Sequence, residues 1–272
     1  MELHVVSRRG DVSVSGRDGA VEIANQHGEV SVEDVIGNVK LNLEKSSAKV
    51  EQITGDVHIE GRLNEVSVTD VKGSAQLDGE FQESVKLARI ARNVAFKSSR
   101  TDLEFSRIDG ELNLDSDDLH ADKITGPLHL TTRSKQIRLM DVSGDVRLQN
   151  DNGGIEVSLR SPGNVQIDSR NGDVQLSLPD KVGFRVDART RDGEIQSDFP
   201  ELKIENGDHE ATATGSIGNG SSHIIINNQH DGIEIRKASA VASSAPPATP
   251  ATPAKPAKAL PAPKAKVEPT DN

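Results

Sequence analysis

The chain has no cysteine, tryptophan or tyrosine, and only five phenylalanines among its 272 residues. The absence of cysteine excludes disulfides, thiolate metal sites and cysteine nucleophiles, and it is compatible with an oxidising or a reducing compartment. A compact globule of this length normally contains more aromatic residues, whereas a thin core can be filled by valine, isoleucine and leucine. The composition therefore favours an elongated, β-rich architecture.

Long apolar runs and an excess of basic residues are also missing. No stretch approaches the ~18 apolar residues of a membrane span. Met1 to His4 lead into patterned sequence without a basic segment, an apolar segment or a cleavage site. We therefore expect no transmembrane segment and no export signal in the sequence as written. The formal net charge of −11 makes nucleic acid an unfavourable partner.

The sequence does contain a repeat. Aliphatic residues recur at spacings of 18, 18, 19, 18, 16 and 18, at Val35, Ile53, Val71, Ile90, Ile108, Ile124 and Val142. Each is followed at +4 and +6 by an apolar pair: Val39/Leu41, Val57/Ile59, Ala75/Leu77, Val94/Phe96, Leu112/Leu114, Leu128/Leu130 and Val146/Leu148. A second pair falls about half a period later: Ala48/Val50, Val66/Val68, Val85/Leu87, Leu103/Phe105, Leu119/Ala121, Ile137/Leu139 and Ile155/Val157. Residues two apart share one face of a strand, so each repeat contains two strands.

A repeat of this size cannot bury its apolar side alone and must stack on copies of itself. The sequence therefore predicts an all-β fold, a single-stranded parallel β-solenoid (β-helix) with about 18 residues per coil. The register runs from Leu3 to about Ser197, which gives eleven coils paired in parallel. It also places four residues in one axial column, namely Ile53, Val71, Ile90 and Ile108.

The two corners of the coil differ. Both irregular repeats change length on the same side, between Leu77 and Val85 and between Leu114 and Leu119, so we predict a solvent-exposed, tolerant corner there. The opposite corner keeps its length and contains glycine, as in the segment 70–73. We expect glycine to supply a backbone angle there that other residues avoid.

Three segments are predicted: solenoid repeats (1–200), closing strands (201–237) and a disordered Pro/Ala/Lys linker or tail (238–272). Eight of the twelve prolines lie in the tail, which is typical of an extended spacer. We expect Pro200 and the Gly218–Gly220 turn to cover the far end. The first coil, with Leu3 and Val5, begins without a cap, so we expect either a missing upstream segment or a partner there.

Two stretches carry a family resemblance: LPDKVGFRVDARTRDGEI at 178–195, and GNGSSHIII at 218–226 followed by DGIEIR at 231–236. A Gly-Asp-Val phrase also recurs, beginning at Gly10, Gly55, Gly144 and Gly172. Together these resemble a bacterial β-strand repeat family, catalogued as a domain of unknown function and described as adhesin-like, over nearly everything up to Lys237. The resemblance implies a right-handed β-solenoid on proteins that are often membrane-anchored or displayed at the cell envelope. It implies no catalytic or binding residues.

Two patterns suggest a metal. Glycine and aspartate at a period near nine invite comparison with calcium-binding nonapeptide repeats, but the phrase Gly-Gly-x-Gly-x-Asp does not occur. The densest acidic stretch, Asp115 to Asp122, lies at the variable-length corner, where its oxygens could converge on a cation. A solvated charged corner explains this stretch equally well. We assign no metal, no cofactor and no catalytic residue.

A polysaccharide-active β-helix enzyme is an alternative, because carboxylates on adjacent coils can act as acid and base. Asp34, Asp70 and Asp141 recur at one corner and are the candidates. Sugar rings usually lie against tryptophan or tyrosine, and this chain has neither. The histidines show no metal-ligand spacing, and His58 and His129 are predicted to point outward.

The favoured hypothesis is a non-catalytic structural or interaction module of the bacterial cell envelope. Its outer face would contact an unknown protein or an envelope polymer through many weak contacts. A self-assembling scaffold of the bactofilin type is the alternative, motivated by the bare first coil. The sequence leaves the oligomeric state open.

Overall fold

The computed structural model describes residues 2–238, and the predicted tail lies outside this range apart from Ala238. Within it the chain has 23 strands and no helix. The strands are β1 Leu3–Ser7, β2 Val12–Asp18, β3 Val21–Asn25, β4 Gly28–Ile36, β5 Val39–Ile53, β6 Val57–Val71, β7 Ala75–Phe81, β8 Val85–Ile90, β9 Val94–Lys97, β10 Thr101–Phe105, β11 Arg107–Leu114, β12 Asp118–Asp122, β13 Ile124–Thr125, β14 Leu128–Thr132, β15 Gln136–Asn152, β16 Ile155–Asn171, β17 Val174–Leu178, β18 Phe184–Arg191, β19 Ile195–Ser197, β20 Lys203–Asn206, β21 Glu210–Ile217, β22 Ser222–Asn228 and β23 Ile233–Lys237.

These strands stack into a parallel β-solenoid of about ten turns, with roughly 18 residues per turn, which confirms the predicted fold class. Each turn, or rung, has two sides. Face 1 contains the strand that follows the glycine corner, such as β3 or β7, and face 2 the strand that precedes it, such as β4 or β8. Two corners join the faces: the glycine corner, which includes the segment 70–73, and the variable corner, where the irregular repeats change length. The apolar core lies between the two faces.

The predicted axial column is present. Strand register aligns the column residues from rung to rung, and each is at most 1% exposed: Val35, Ile53, Val71, Ile90, Ile108 and Ile124. Neighbouring rungs in a sheet lie ~4.8 Å apart, so these aliphatic side chains contact one another along the axis. The period seen in the sequence is therefore the period of the stack.

One rung runs backwards, and the prediction that all coils pair in parallel is wrong there. Strand β10 pairs antiparallel with β9 and β14, and β11 pairs antiparallel with β8 and β12. The chain reverses at two tight turns, 98–101 and 115–118, both at the variable corner. Between them, residues 101–114 cross face 1 and then face 2 in the opposite direction. We call this segment the reversed rung.

The reversed rung escapes detection in the sequence because its apolar pattern is nearly symmetric about Ile108. Leu103 aligns with Phe96 and Leu130 on face 1, although its position in the repeat predicted face 2. Leu112 aligns with Leu87 on face 2, although face 1 was predicted. Reversal about Ile108 exchanges the two pairs and leaves both pointing inward, so burial is the same in either direction.

At the far end, the order of the rungs differs from their order in the chain. Strand β22 lies between β16 and β18, and β23 lies between β17 and β19. The last rung among the described residues, 222–237, thus lies inside the stack, and we call it the inner rung. Of the predicted closing segment 201–237, only β20 and β21 form the end, where β21 pairs antiparallel with β18. The Gly218–Gly220 turn does not cover the end, because it leads into the inner rung.

The prediction for the glycine corner is confirmed only in part, because Gly37 and Gly144 have φ of 157° and 97° whereas Gly73 and Gly110 do not have a positive φ. The left-handed residue is mostly not glycine but the residue just before the column, with φ of 51° to 58° at Asp34, Gln52, Asp70, Arg89, Lys123 and Asp141. Gly55 is needed for another reason, since a Cβ there would lie 2.5 Å from the carbonyl oxygen of Gly37 in the rung below. Close stacking of backbones, rather than backbone angle, selects glycine at this position.

Candidate functional site

The outward side chains form continuous columns along both faces. On face 1, the residues between the apolar pairs stack in the order His4, Glu22, Lys40, His58, Gln76, Ala95, Glu104, His129, Arg147, Gln166, Ile225 and Asp187. On face 2 the order is Ser13, Ser31, Lys49, Ser67, Lys86, Asn113, His120, Arg138, Glu156, Gln175, Glu234 and Gln196. Both columns contain charges of both signs and neutral polar groups, and the face 1 column also includes the apolar residues Ala95 and Ile225.

Ion pairs on face 2 connect column residues to side chains of the neighbouring rung. Arg138 Nε lies 2.8 Å from Glu156 Oε2, and Lys86 Nζ lies 2.9 Å from Glu111 Oε2. All four side chains are more than a third exposed, so each pair contributes at most about 1 kcal/mol. The faces are therefore solvated charged surfaces whose pairs can be exchanged for contacts with a partner.

Each face also has a shallow open groove. The groove on face 2 has a volume of about 480 Å³ and is lined by residues that include His120, Arg138 and Gln175. The groove on face 1 has a volume of about 320 Å³ and is lined by residues that include Arg147 and His223. Both grooves are open and are lined by residues of the outward columns, so they do not have the form of enclosed active sites.

The aspartates of the Gly-Asp-Val phrases have a structural role. Each carboxylate accepts a hydrogen bond from a backbone N–H of a neighbouring rung: Asp11 from Glu29 at 2.9 Å, Asp56 from Ser74 at 2.8 Å, Asp145 from Asn164 at 2.7 Å and Asp173 from Gly232 at 3.0 Å. These bonds satisfy backbone donors at both corners, since Asp56 and Asp145 precede face 1 strands at the glycine corner and Asp11 and Asp173 precede face 2 strands at the variable corner. The recurring aspartate is explained by rung-to-rung linkage.

The three candidate acids of the enzyme alternative do not meet. The register places Gln52 between Asp34 and Asp70. Asp70 is instead paired with Arg89, whose Nε and Nη2 donate to its two oxygens at 2.6 and 2.7 Å. These hydrogen bonds hold the pKa of Asp70 below its ordinary value, which suits an ion pair better than a proton donor. Asp141 is several rungs away.

The acidic stretch at the variable corner is the second turn of the reversed rung. Asp115 accepts hydrogen bonds from the backbone N–H of Asp117 at 2.9 Å and of Asp118 at 2.8 Å. These two bonds lower the pKa of the Asp115 carboxyl. The Lys135 ammonium, on a residue only 7% exposed, donates to the backbone carbonyls of Asp115 and Ser116. The cation that lies among these oxygens is the ammonium group of Lys135.

Burial lowers the pKa of Lys135, while the Asp115 carboxylate opposes this shift. In the part of the chain that the structure describes, no cluster of three or more histidine, aspartate or glutamate side chains is arranged to hold a metal ion. His58 and His129 point outward, as predicted, between buried neighbours. His209 and His230 lie 3.7 and 3.8 Å from Asp192 at the far end.

Sequence analysis missed a buried polar column at the variable corner, which consists of Thr132, Asn150, Ser169, Asn228 and Thr190. Each is at most 5% exposed. Asn150 Nδ2 donates to the carbonyls of Lys135 and Gly153 at 2.9 and 3.1 Å and so closes the corner. A polar residue two positions after the apolar pair of face 1 was the signal that could have found it.

A family model described as Toastrack DUF4097 matches residues 21–236, well over half of the chain. The chain belongs to the Toastrack family. The family is a repeat-type domain of unknown function, in agreement with the predicted resemblance to a β-strand repeat family. No curated protein and no solved structure matches the chain. No helix among residues 2–238 has the length and apolar character needed to cross a membrane.

The two stretches that carried the family resemblance meet in the Toastrack fold. Strands β21 and β22 lie on opposite sides of β18, so the turn 218–221 crosses the start of β18 at Gly183. The Ser221 hydroxyl donates to the Gly183 carbonyl at 3.0 Å. A Cβ on Gly183 would overlap the Asn219 side chain and approach Asn219 N to 2.7 Å. We call this crossing the clasp.

A second contact holds the middle of the inner rung, where Asp231 lies between β22 and β23. The Thr190 hydroxyl donates to the carbonyl of Asp231 at 2.7 Å, and the Asp231 carboxylate accepts from the Gly172 N–H at 2.6 Å. The conspicuous motifs of this Toastrack chain are therefore accounted for by packing of the last rungs. The groups left free for function are those on the outer surface.

Proposed function

We propose that this chain is a non-catalytic interaction module of the bacterial cell envelope. It would act in an adhesin-like manner, with its outer surface contacting an unknown protein or an envelope polymer. The observation that carries the proposal is the pair of outward columns, in which side chains follow one another at the regular spacing of the rungs and charges of both signs are exposed. A rigid periodic surface favours many weak contacts made together, because each further contact forms at a high effective concentration.

The engagement of the acidic groups supports a non-catalytic role. The Gly-Asp-Val aspartates accept backbone N–H groups, Asp70 is paired with Arg89, and Asp115 caps a turn. An acid and base on neighbouring coils would need two free carboxylates facing one substrate. The three aspartates that the sequence suggested are not arranged in this way.

The scaffold alternative has less support, because the edges of β18 and β19 at the far end are already contacted by other parts of the chain. Hairpin β20–β21 covers the edge of β18 on face 1. On face 2, the Asn206 side chain bonds to both the N–H and the carbonyl of Ile195 in the edge strand, at 3.1 and 3.3 Å. A head-to-tail filament needs a free edge at each end. Light scattering that shows concentration-dependent growth of filaments would favour the scaffold.

The proposal is tested by localisation and by binding. The full-length gene product, tagged at its C-terminus, is fractionated from its own host, and we expect it in the envelope fraction. The purified chain is then sedimented with isolated cell-wall polymer and with membrane vesicles. Recovery in the cytoplasmic fraction alone, or no co-sedimentation with either material, would contradict the proposal.

Matched charge reversals identify the contact surface. One variant carries Lys40→Glu and Arg147→Glu on face 1, and the other carries Lys49→Glu and Arg138→Glu on face 2. We expect one of them to weaken co-sedimentation by about tenfold or more, since two reversed contacts of ~0.7 kcal/mol or more each give that factor. Equal binding by both variants and the wild type would show that neither face makes the contact.

A further inference from the structure

A cavity opens at the variable corner beside the reversed rung. In the preceding rungs this corner is filled by a column of side chains, Ser46, Leu63 and Phe81, which align from rung to rung. Leu63 is fully buried. In the next rung the chain turns back at 98–101, so nothing continues the column beyond Phe81. The result is a cavity of about 280 Å³ between the two turns of the reversed rung.

The floor of the cavity is apolar. Phe81 and Phe96 contribute rings whose centroids are 4.8 Å apart, and Val85 and Leu114 line the cavity beside them. Two of the five phenylalanines of the chain are thus placed together at this one position. Aromatic rings offer a large apolar contact area to a flat or branched ligand.

Two cations face this floor. Lys135 lines the cavity, and its ammonium has three hydrogens, two of which go to the carbonyls of Asp115 and Ser116. One hydrogen remains for a ligand. Arg100, on the 98–101 turn, also lines the cavity and is exposed. The positive charge of Arg100 lowers the pKa of Lys135, in the same direction as burial does.

Two of the three acidic residues that line the cavity already accept hydrogen bonds. Glu80 accepts a hydrogen bond from Arg62 Nε at 2.8 Å. The Asp115 carboxylate accepts two backbone N–H groups of its own turn. Glu83 is the remaining carboxylate that lines the cavity. The lining thus contains two cationic donors, Lys135 and Arg100, and three acidic side chains, of which Glu80 and Asp115 already accept hydrogen bonds.

We propose that this cavity binds a small carboxylate with an apolar body, its carboxylate on Lys135 and Arg100 and its body on Phe81 and Phe96. The volume lies near the lower end of the ~300–1,000 Å³ of small-molecule sites, so the body is limited to about ten heavy atoms. A buried, hydrogen-bonded cation above aromatic rings matches the usual form of such sites, in which few polar groups orient an apolar ligand. This site is separate from the outer columns and does not depend on the proposed function.

The test uses three probes with one body and different charge: phenylacetate, 2-phenylethanol and phenethylamine. Binding to the full chain is measured by titration in ¹⁵N-resolved NMR spectra. We expect phenylacetate to bind at least about tenfold more tightly than the other two, with shifts confined to the 98–101 and 115–118 turns and their neighbours. No saturable binding of phenylacetate, shifts elsewhere, or equal binding of phenethylamine would overturn the proposal.

Variants separate the charge effect from folding. Arg100→Gln is expected to weaken phenylacetate binding about five- to tenfold and to leave 2-phenylethanol unchanged. Glu83→Gln is expected to strengthen phenylacetate binding, since it removes the opposing charge. Arg92→Gln, an exposed arginine at the glycine corner, is the matched control and should have no effect. Equal effects of Arg92→Gln and Arg100→Gln would show that only the net charge matters and would overturn the site.

Discussion

Gly183 is the position where one added carbon atom should reveal the clasp. In Gly183→Ala the new Cβ would approach Asn219 N to 2.7 Å and Asn219 Cγ to 2.9 Å, so the turn 218–221 must move. The atoms in the way are partly backbone, and they cannot rotate aside as the end of a side chain can. Overpacking of this kind costs about 1–3 kcal/mol. A protein of this size loses ~2–4 °C in melting temperature per kcal/mol, so we expect a decrease of about 2–12 °C.

The assay that locates the effect is amide hydrogen exchange, because stability in a stacked fold differs between rungs. Exchange should increase in 222–237, which the clasp holds between its neighbours, and remain as in the wild type in β3 to β6. Gly232→Ala is the control, since a Cβ there has its nearest neighbours at 3.3 and 3.4 Å. Adding Asn219→Gly to Gly183→Ala removes the side-chain overlap and should restore part of the stability. An unchanged melting temperature and exchange pattern in Gly183→Ala would refute the clasp.

Three further changes test other parts of the stack. Ile108→Ala, in the axial column at the centre of the reversed rung, should lower the free energy of unfolding by about 2–5 kcal/mol in denaturant titrations, whereas Ile36→Ala, at a residue 58% exposed, should stay within about 0.5 kcal/mol. Asp145→Ala removes the acceptor for a backbone N–H and should cost about 1 kcal/mol by the same measurement, while Asp145→Asn retains an acceptor and should cost less. In acid, the lowered pKa of Asp115 means that its contribution to stability is present above the ordinary value near 3.8 and is lost as pH falls through the lower folded value. Below pH 4 the melting temperature of Asp115→Asn should therefore change less with pH than that of the wild type. The same dependence of melting temperature on pH in both proteins would contradict this assignment.

The fold class could be predicted because inward and outward positions alternate over many repeats. A period-two pattern within each strand and an 18-residue period between coils leave one arrangement that buries every aliphatic pair, and the column through Ile53, Val71 and Ile90 follows directly. The candidate site was harder to predict. Ile225 lies between Gln166 and Asp187 in the face 1 column although it follows both in the chain, and this order arises only because β22 inserts between β16 and β18.

The sequence alone determined that the chain is a stack of two-stranded rungs with a narrow aliphatic interior, because burial of the repeated apolar pairs depends only on spacing. Tertiary structure decided direction and order: the reversal at residues 101–114, and the insertion of 222–237 between earlier rungs. The physical reason is that an apolar pair is buried equally well whichever way its strand runs and whichever rung lies next to it. The backbone hydrogen bonds and the tight approach at Gly183, which do depend on direction and neighbour, form only when the rungs are in place.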